Sequence, residues 1–213
     1  PLTVLRGRLE GVMDGVYPPS QEVIAPALAE TYLLERLVED LRLLALAESH
    51  QLHVEYQDVD LGMLFQPALD LFSAEASEIP VTLCMEVGPD LPLVRVDPHR
   101  LEQVISNLLD NALRYAPADS TVGLQVRKGT EGVEIHVVDE GPGVPDEELP
   151  LIFNRFWRQE KSRARSSGGS GLGLAIAKQL IELQGGTIAA RNRDSGGLDI
   201  CVTLPESPTK LLE

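Results

Sequence analysis

The sequence predicts an α/β protein: a two-layer α/β sandwich with a mixed, largely antiparallel sheet, preceded by a helical hairpin that two chains assemble into a four-helix bundle. Three observations lead there. Residues 2–48 place apolar side chains at alternating three- and four-residue steps, the spacing of a helical seam. Beyond residue 50, short β-type runs are mixed with longer helical ones. The β-type runs come mostly in close pairs, as hairpins do.

Taken in order, Leu2, Leu5, Leu9, Val12 and Val16 form a narrow seam over residues 2–16. The Tyr-Pro-Pro-Ser run at 17–20 is expected to stop that helix, because proline cannot continue one. Ser20 is placed to cap the next helix, with Glu22 in its first turn. Ala27, Leu34, Leu37, Leu41 and Leu44 carry a similar seam to about Glu48. Two helices alone enclose little core, so a bundle of two chains is favoured over a hairpin packed on its own domain.

The stretch from His53 to Leu61 alternates like a strand, and Leu61–Ala76 reads as a helix despite Pro67. Residues 80–87 and 93–96 read as short strands. Residues 97–116 form the strongest helix, with Asp97 as cap and Pro98 in the first turn. Residues 121–129 and 132–140 make one hairpin, residues 186–192 and 197–205 a second, and residues 171–184 a last helix. The expected organisation is a hairpin domain at 1–49, an α/β domain at 50–207 and a tail at 208–213.

Composition narrows the function. A net charge of −15 argues against a nucleic-acid binder, which needs a basic footprint, and against docking on an anionic membrane surface. No run is long and apolar enough to span a membrane, and the start carries no secretory leader pattern. The two cysteines, Cys84 and Cys201, show neither disulfide nor zinc spacing, so a reducing, cytoplasmic setting is expected.

Three clusters carry chemistry. In "NLLDNALRY", Asn107 and Asn111 lie one helical turn apart on one face. Their amide oxygens are hard ligands suited to magnesium. Arg114 can meet phosphate charge, and Tyr115 offers a flat face to a base. Taken alone, the asparagines read equally as core side chains bonded to backbone. In "VVDEGPGVP", Asp139 ends a strand, and Gly141 and Gly143 let the backbone approach a ligand; taken alone, this is a plain turn. In "SSGGSGLGLAIAKQL", Gly168, Gly169, Gly171 and Gly173 lead into an apolar helix whose N-terminus attracts anions. The spacing fits neither a Walker A loop nor the dinucleotide GxGxxG pattern. Arg155, Arg158, Lys161, Arg163 and Arg165 crowd the residues just before it, in a chain with only 18 basic residues. That run reads as a mobile lid over a polyphosphate.

The ordered set "NLLDNALRY", "DEGPGVP", "IFNRFWR" and "GGSGLGLAIAKQL" resembles the N, G1, F and G2 boxes of sensor histidine kinases. Their catalytic domain is shared with gyrase, the Hsp90 chaperones and MutL. The resemblance spans residues 52–206, and residues 1–49 resemble the dimerisation and phosphotransfer hairpin of the same kinases. It implies a Bergerat-type fold and an Mg²⁺–ATP site. Asn111 matches the magnesium ligand and Asn107 its partner near metal and phosphates. Arg114 falls on the phosphates, Tyr115 on the adenine, and Asp139 reads the adenine amine, with Gly141 and Gly143 making room for the base. Gly169, Gly171, Leu172 and Gly173 match the phosphate loop. Phe153 and Phe156 match the box that anchors the lid, from which Arg158 and Lys161 would reach the γ-phosphate.

The implied reaction passes a phosphoryl group from ATP to a histidine, then to an aspartate of a response regulator, within a homodimer. "PLTVLRGRLE" fits the residues directly after the family's acceptor-histidine box, so the acceptor is expected upstream of Pro1. His50, His53, His99 and His136 lie in other contexts and read as structural or surface residues. Asn107 stands where gyrase-like relatives place a water-activating glutamate, and an amide is a poor base, which disfavours an ATPase. A degenerate kinase serving as a docking scaffold is the other rival.

Overall fold

The computed structural model describes residues 2–49, 51–76, 80–159 and 170–206. The chain divides into two compact units, Pro1–Leu46 and Ala47–Glu213. Among the described residues no helix is long and apolar enough to cross a membrane.

Helix α1 spans Leu2–Met13, and α2 (Gln21–Glu48) continues through Pro26. The sequence placed the end of α1 at the prolines, but it comes sooner. The Val16 N–H donates to the Gly11 carbonyl at 2.9 Å and the Gly15 N–H to the Val12 carbonyl at 3.2 Å. These are the paired bonds of a Schellman ending, so Gly15 rather than Pro18 terminates the helix and Val16 leaves the seam. Along the seam Ala27 and Leu44 are buried, Leu34 and Leu37 half-buried, and Leu41 exposed. Val4, Leu9, Met13, Ile24 and Leu28 are also exposed, so the hairpin carries a band of uncovered apolar side chains.

The second unit is built on a five-stranded sheet of order β2-β4-β5-β7-β6: β2 is Val81–Val87, β4 Ser120–Lys128, β5 Val133–Val138, β6 Thr187–Asn192 and β7 Leu198–Leu204. Only the β2–β4 pairing is parallel. Helices α3 (Leu61–Ala76), α4 (Pro98–Tyr115) and α5 (Gly173–Leu183) form the second layer, with α4 packed between α3 and α5. Leu101, Ile105 and Leu108 of α4, Leu124 and Ile135 of the sheet, and Ile176 and Leu180 of α5 are fully buried. Each such side chain contributes about 1.5–3 kcal/mol by leaving water.

The strand expected from His53 to Leu61 shrinks to β1 (Gln57–Val59), paired with β3 (Val94–Val96) in a separate two-stranded sheet. A partner of three residues supports no longer ladder. Asp60 then opens α3, its Oδ1 accepting the Met63 N–H at 3.1 Å and its carbonyl the Leu64 N–H at 3.0 Å.

Helix α4 positions the site, and its start is held from three sides. Asp97 Oδ1 accepts the Arg100 N–H at 3.1 Å and Oδ2 the Glu55 N–H at 3.0 Å. The Asp97 N–H donates to Gln184 Oε1 at 2.8 Å, joining α4 to the end of α5.

On β5 the apolar Val133, Ile135 and Val137 face the helices, which by strand alternation turns Glu134 and His136 to the opposite face. There His136 Nδ1 meets Asp199 Oδ1 at 2.8 Å, while Arg191 donates to Asp199 Oδ2 from Nε at 3.0 Å and Nη2 at 2.8 Å. The bond to Asp199 holds the imidazole charged, its pKa pushed up to about 10. Burial pushes the Asp199 carboxyl up, but the bonds from His136 and Arg191 outweigh it and hold it below the usual carboxylate range.

Candidate functional site

The helix α4 turns Leu101, Ile105 and Leu108 into the core, and Asn107 and Asn111 follow half-buried on an adjacent strip. Asn107 lies against the start of α5: its carboxamide oxygen is 3.7 Å from where a Cβ on Gly173 would sit. Its Nδ2 is buried, and it is the one such side-chain atom without a partner among the described residues. Leaving a buried donor unmet costs about 1–3 kcal/mol, which folding alone does not explain. As oriented, the amide offers an N–H to an acceptor such as a phosphate oxygen; turned over, it offers its oxygen to a hard cation. Among the described residues the N-terminus of α5 beside it has no side-chain cap, since Leu172 occupies the cap position. Its first N–H groups and the helix dipole are suited to an anion.

Arg114 pairs with Asp110 on its own helix at 3.3 Å, so the cation expected on the phosphates is held at the α4 surface here. Tyr115 is half-buried at the end of α4, and its carbonyl approaches the loop after β5, lying 2.9 Å from where a Cβ on Gly141 would fall.

Asp139 follows β5 and is 5% exposed. Its Oδ1 accepts two backbone N–H groups, Gly141 at 2.7 Å and Leu198 at 3.2 Å. Burial raises its carboxyl above the usual range, while those N–H groups and the Arg193 charge draw it back. A side chain at position 141 would strike both Asp139 Oδ1 and the Tyr115 carbonyl, so only glycine admits this approach. Beyond it, Gly143 and Val144 are clasped from β6. Asn192 Oδ1 accepts the Val144 N–H at 3.0 Å, and Asn192 Nδ2 donates to the Val144 carbonyl at 2.6 Å and to Asp146 at 2.8 Å.

The loop before α5 is tied to the segment carrying Phe153 and Phe156. The Phe156 N–H donates to the Gly171 carbonyl at 2.9 Å, and the Ser170 hydroxyl accepts the Leu172 N–H at 3.2 Å. Leu172 is fully buried; Phe153 and Arg158 are half-buried. Phe156 is 58% exposed with a backbone φ of +61°, a rare position for a bulky residue and a local store of strain. Lys161, Arg163, Arg165 and Gly169 lie outside the described residues.

The structure thus brings Asn107 to Gly173, Tyr115 to Gly141, and Gly171 to Phe156. It adds residues the sequence did not single out. Asn192, Gly197, Leu198 and the Arg193 guanidinium, which donates to the Asp139 carbonyl at 2.7 Å, all stand on the β6–β7 hairpin and hold the Asp139 loop from behind. The Ser-Gly-Gly run at 195–197 signals the turn, but nothing local signals its partner.

Comparison with known proteins gives the same picture. Residues 96–208 match the family described as histidine kinase-, DNA gyrase B- and HSP90-like ATPases. The signal transduction histidine-protein kinase BaeS of Escherichia coli (strain K12) is 38% identical over 205 residues, a match that covers 96% of this chain and 44% of that protein. The chain therefore spans less than half of that relative's length. The structure of the Acinetobacter baumannii histidine kinase AdeS is similar with a TM-score of 0.81 at 29% identity, over 97% of this chain and 96% of that one. Full-length ShkA in complex with AMPPNP is similar with a TM-score of 0.74 at 25% identity, over 98% of this chain and 45% of that one. The chain belongs to the family of histidine kinase-, DNA gyrase B- and HSP90-like ATPases, within its sensor histidine kinase branch.

Proposed function

We propose that residues 50–207 bind Mg²⁺–ATP between α4, the Asp139 loop and the start of α5, as the kinase core of a two-component system. Among the described residues, the buried Asn107 Nδ2 without a partner, beside an α5 N-terminus without a side-chain cap, carries this reading. A ligand with anionic oxygens and a hard cation satisfies both at once. Asn111 and Asn107 would hold the magnesium, which supplies charge neutralisation along the phosphates when bound. Both backbone donors to Asp139 end on Oδ1, so Oδ2 accepts the adenine amine. Gly171 and Gly173 present backbone N–H groups to the phosphates, and the Leu172 N–H joins them once it leaves the Ser170 hydroxyl. Arg158 and Lys161 approach the γ-phosphate from the lid, and Arg114 turns from Asp110 toward the phosphates.

In the proposed reaction the phosphoryl group goes to a histidine, then to a response-regulator aspartate, on the cytoplasmic side. The exposed apolar band of the hairpin supports a homodimeric four-helix bundle. Asn107 is no general base, so this site favours transfer to a positioned histidine over attack by water. With γ-labelled ATP the intact protein is expected to form an acid-labile, alkali-stable phosphohistidine that passes to a receiver domain. Asn111→Ala is expected to reduce that label by about a hundredfold, the loss typical of a removed electrostatic stabiliser. Steady phosphate release with no labelled histidine would favour the ATPase, and neither label nor release would favour the scaffold.

A further inference from the structure

The face of the sheet turned away from the helices carries a second cluster, unrelated to the nucleotide site. His136 on β5 is registered directly opposite Cys201 on β7, and Glu134 stands two residues before His136 on the same face. Among the described residues, Glu134, His136 and Cys201 offer the one group of three metal-binding side chains, with their ligand atoms within 4.8 Å of one another.

The two spacings from His136 Nε2 are those of a tetrahedral metal centre. With Zn–S near 2.3 Å and Zn–N or Zn–O near 2.0–2.1 Å, tetrahedral angles put S and N about 3.6 Å apart and N and O about 3.3 Å apart. Cys201 Sγ lies 3.6 Å from His136 Nε2, and Glu134 Oε2 lies 3.3 Å from the same nitrogen. The ring is already oriented for this. His136 Nδ1 is bonded to Asp199 Oδ1 at 2.8 Å, the carboxylate–imidazole pairing that fixes a metal-binding histidine and aims its other nitrogen at the ion. Asp199 is itself held by Arg191. The position across from Cys201 on β6 is Ala189, small and exposed, which opens the thiol side to solvent. The two bonds that reach Glu134 from Arg127 and His136 both end on Oε2.

We propose that Glu134, His136 and Cys201 form a site for a thiophilic divalent cation, zinc(II) foremost, with water as the fourth ligand and Asp199 as the positioning residue. A thiolate, an imidazole and a carboxylate together suit zinc and disfavour magnesium, which separates this site from the one at Asn107 and Asn111. Metal entry releases a proton from the imidazole and one from the thiol, and the carboxylates that attract those protons equally attract the cation. The site stands whether or not the nucleotide reading does.

Cobalt(II), the spectroscopic stand-in for zinc, tests it on the full chain, reduced and free of magnesium. One equivalent is expected to give a thiolate-to-cobalt charge-transfer band that zinc bleaches, and zinc alone is expected to raise the melting temperature. Cys201→Ser is expected to remove the band and at least about nine-tenths of the affinity, a tenfold loss being about 1.4 kcal/mol. Cys84→Ser keeps both, and Cys201→Ser leaves nucleotide binding unchanged. His136→Gln repeats the loss from a second ligand. Absence of the band in the folded chain, its survival in Cys201→Ser, or its loss in Cys84→Ser would overturn the site.

Discussion

Asn107→Leu is expected to leave the protein as stable as the parent or more so, while costing most of its affinity for Mg²⁺–ATP. The two effects separate because the buried Asn107 Nδ2 has no partner among the described residues. An interior polar group normally adds to stability through its bonds; this one subtracts. Removing an unmet buried donor recovers part of the roughly 1–3 kcal/mol it costs, and leucine propagates a helix better than asparagine does. On the ligand side, a hydrogen bond to a charged oxygen contributes about 1.5–3 kcal/mol, so its loss is a weakening of about ten- to a hundredfold. Denaturant melts and a nucleotide titration on the same sample check both halves. A variant that melts lower and binds nucleotide normally would show that the amide serves the fold alone.

Gly197→Ala is expected to destabilise the second unit by about 2–4 kcal/mol and to damage nucleotide recognition as well. Gly197 has a φ of +94°, and a Cβ there would occupy the space of the Asp139 carbonyl oxygen. Backbone cannot yield as a flexible side chain can, so the β6–β7 hairpin must move off the Asp139 loop. That movement would break the Leu198 N–H bond to Asp139 Oδ1 and the Arg193 bond to its carbonyl. Gly196 supplies the control. Its φ is +91°, yet a Cβ on it meets nothing within 4 Å, so Gly196→Ala carries backbone strain alone, about 1–2 kcal/mol, with normal nucleotide binding. Equal losses at the two positions, measured by denaturant midpoint, would show that contact with Asp139 is not what position 197 is selected for.

Where the sequence was readable, local chemistry decided the outcome. Asp97 followed by Pro98 and a 3.6-residue apolar repeat gave α4 its start, its length and its buried face, because a cap, a fixed φ and a periodic stripe all act within one helix. The four motifs were legible for the same reason: each is a short run. The boundaries that failed depended on competition. Alternation from His53 onward looks like a strand, but Asp60 opens α3 and β3 offers only three residues to pair with. The α1 helix ends at Gly15 because a Schellman turn forms before the prolines are reached. Least readable were contacts between distant segments. Asn192 clasps Val144 across 48 residues, and Asp199 holds His136 across 63. Neither pairing leaves any local trace, and the first of them positions the loop on which the site depends.

A calorimetric titration of the 213-residue chain with a non-hydrolysable ATP analogue, with and without magnesium and beside Asn111→Ala, tests the central claim most directly. One-to-one binding is expected, weakened at least about tenfold when magnesium is withheld, as the loss of one cation bridge requires, and weakened similarly in Asn111→Ala. A folded chain that takes up no nucleotide, or binds it equally well without magnesium and without the Asn111 amide, would contradict the account.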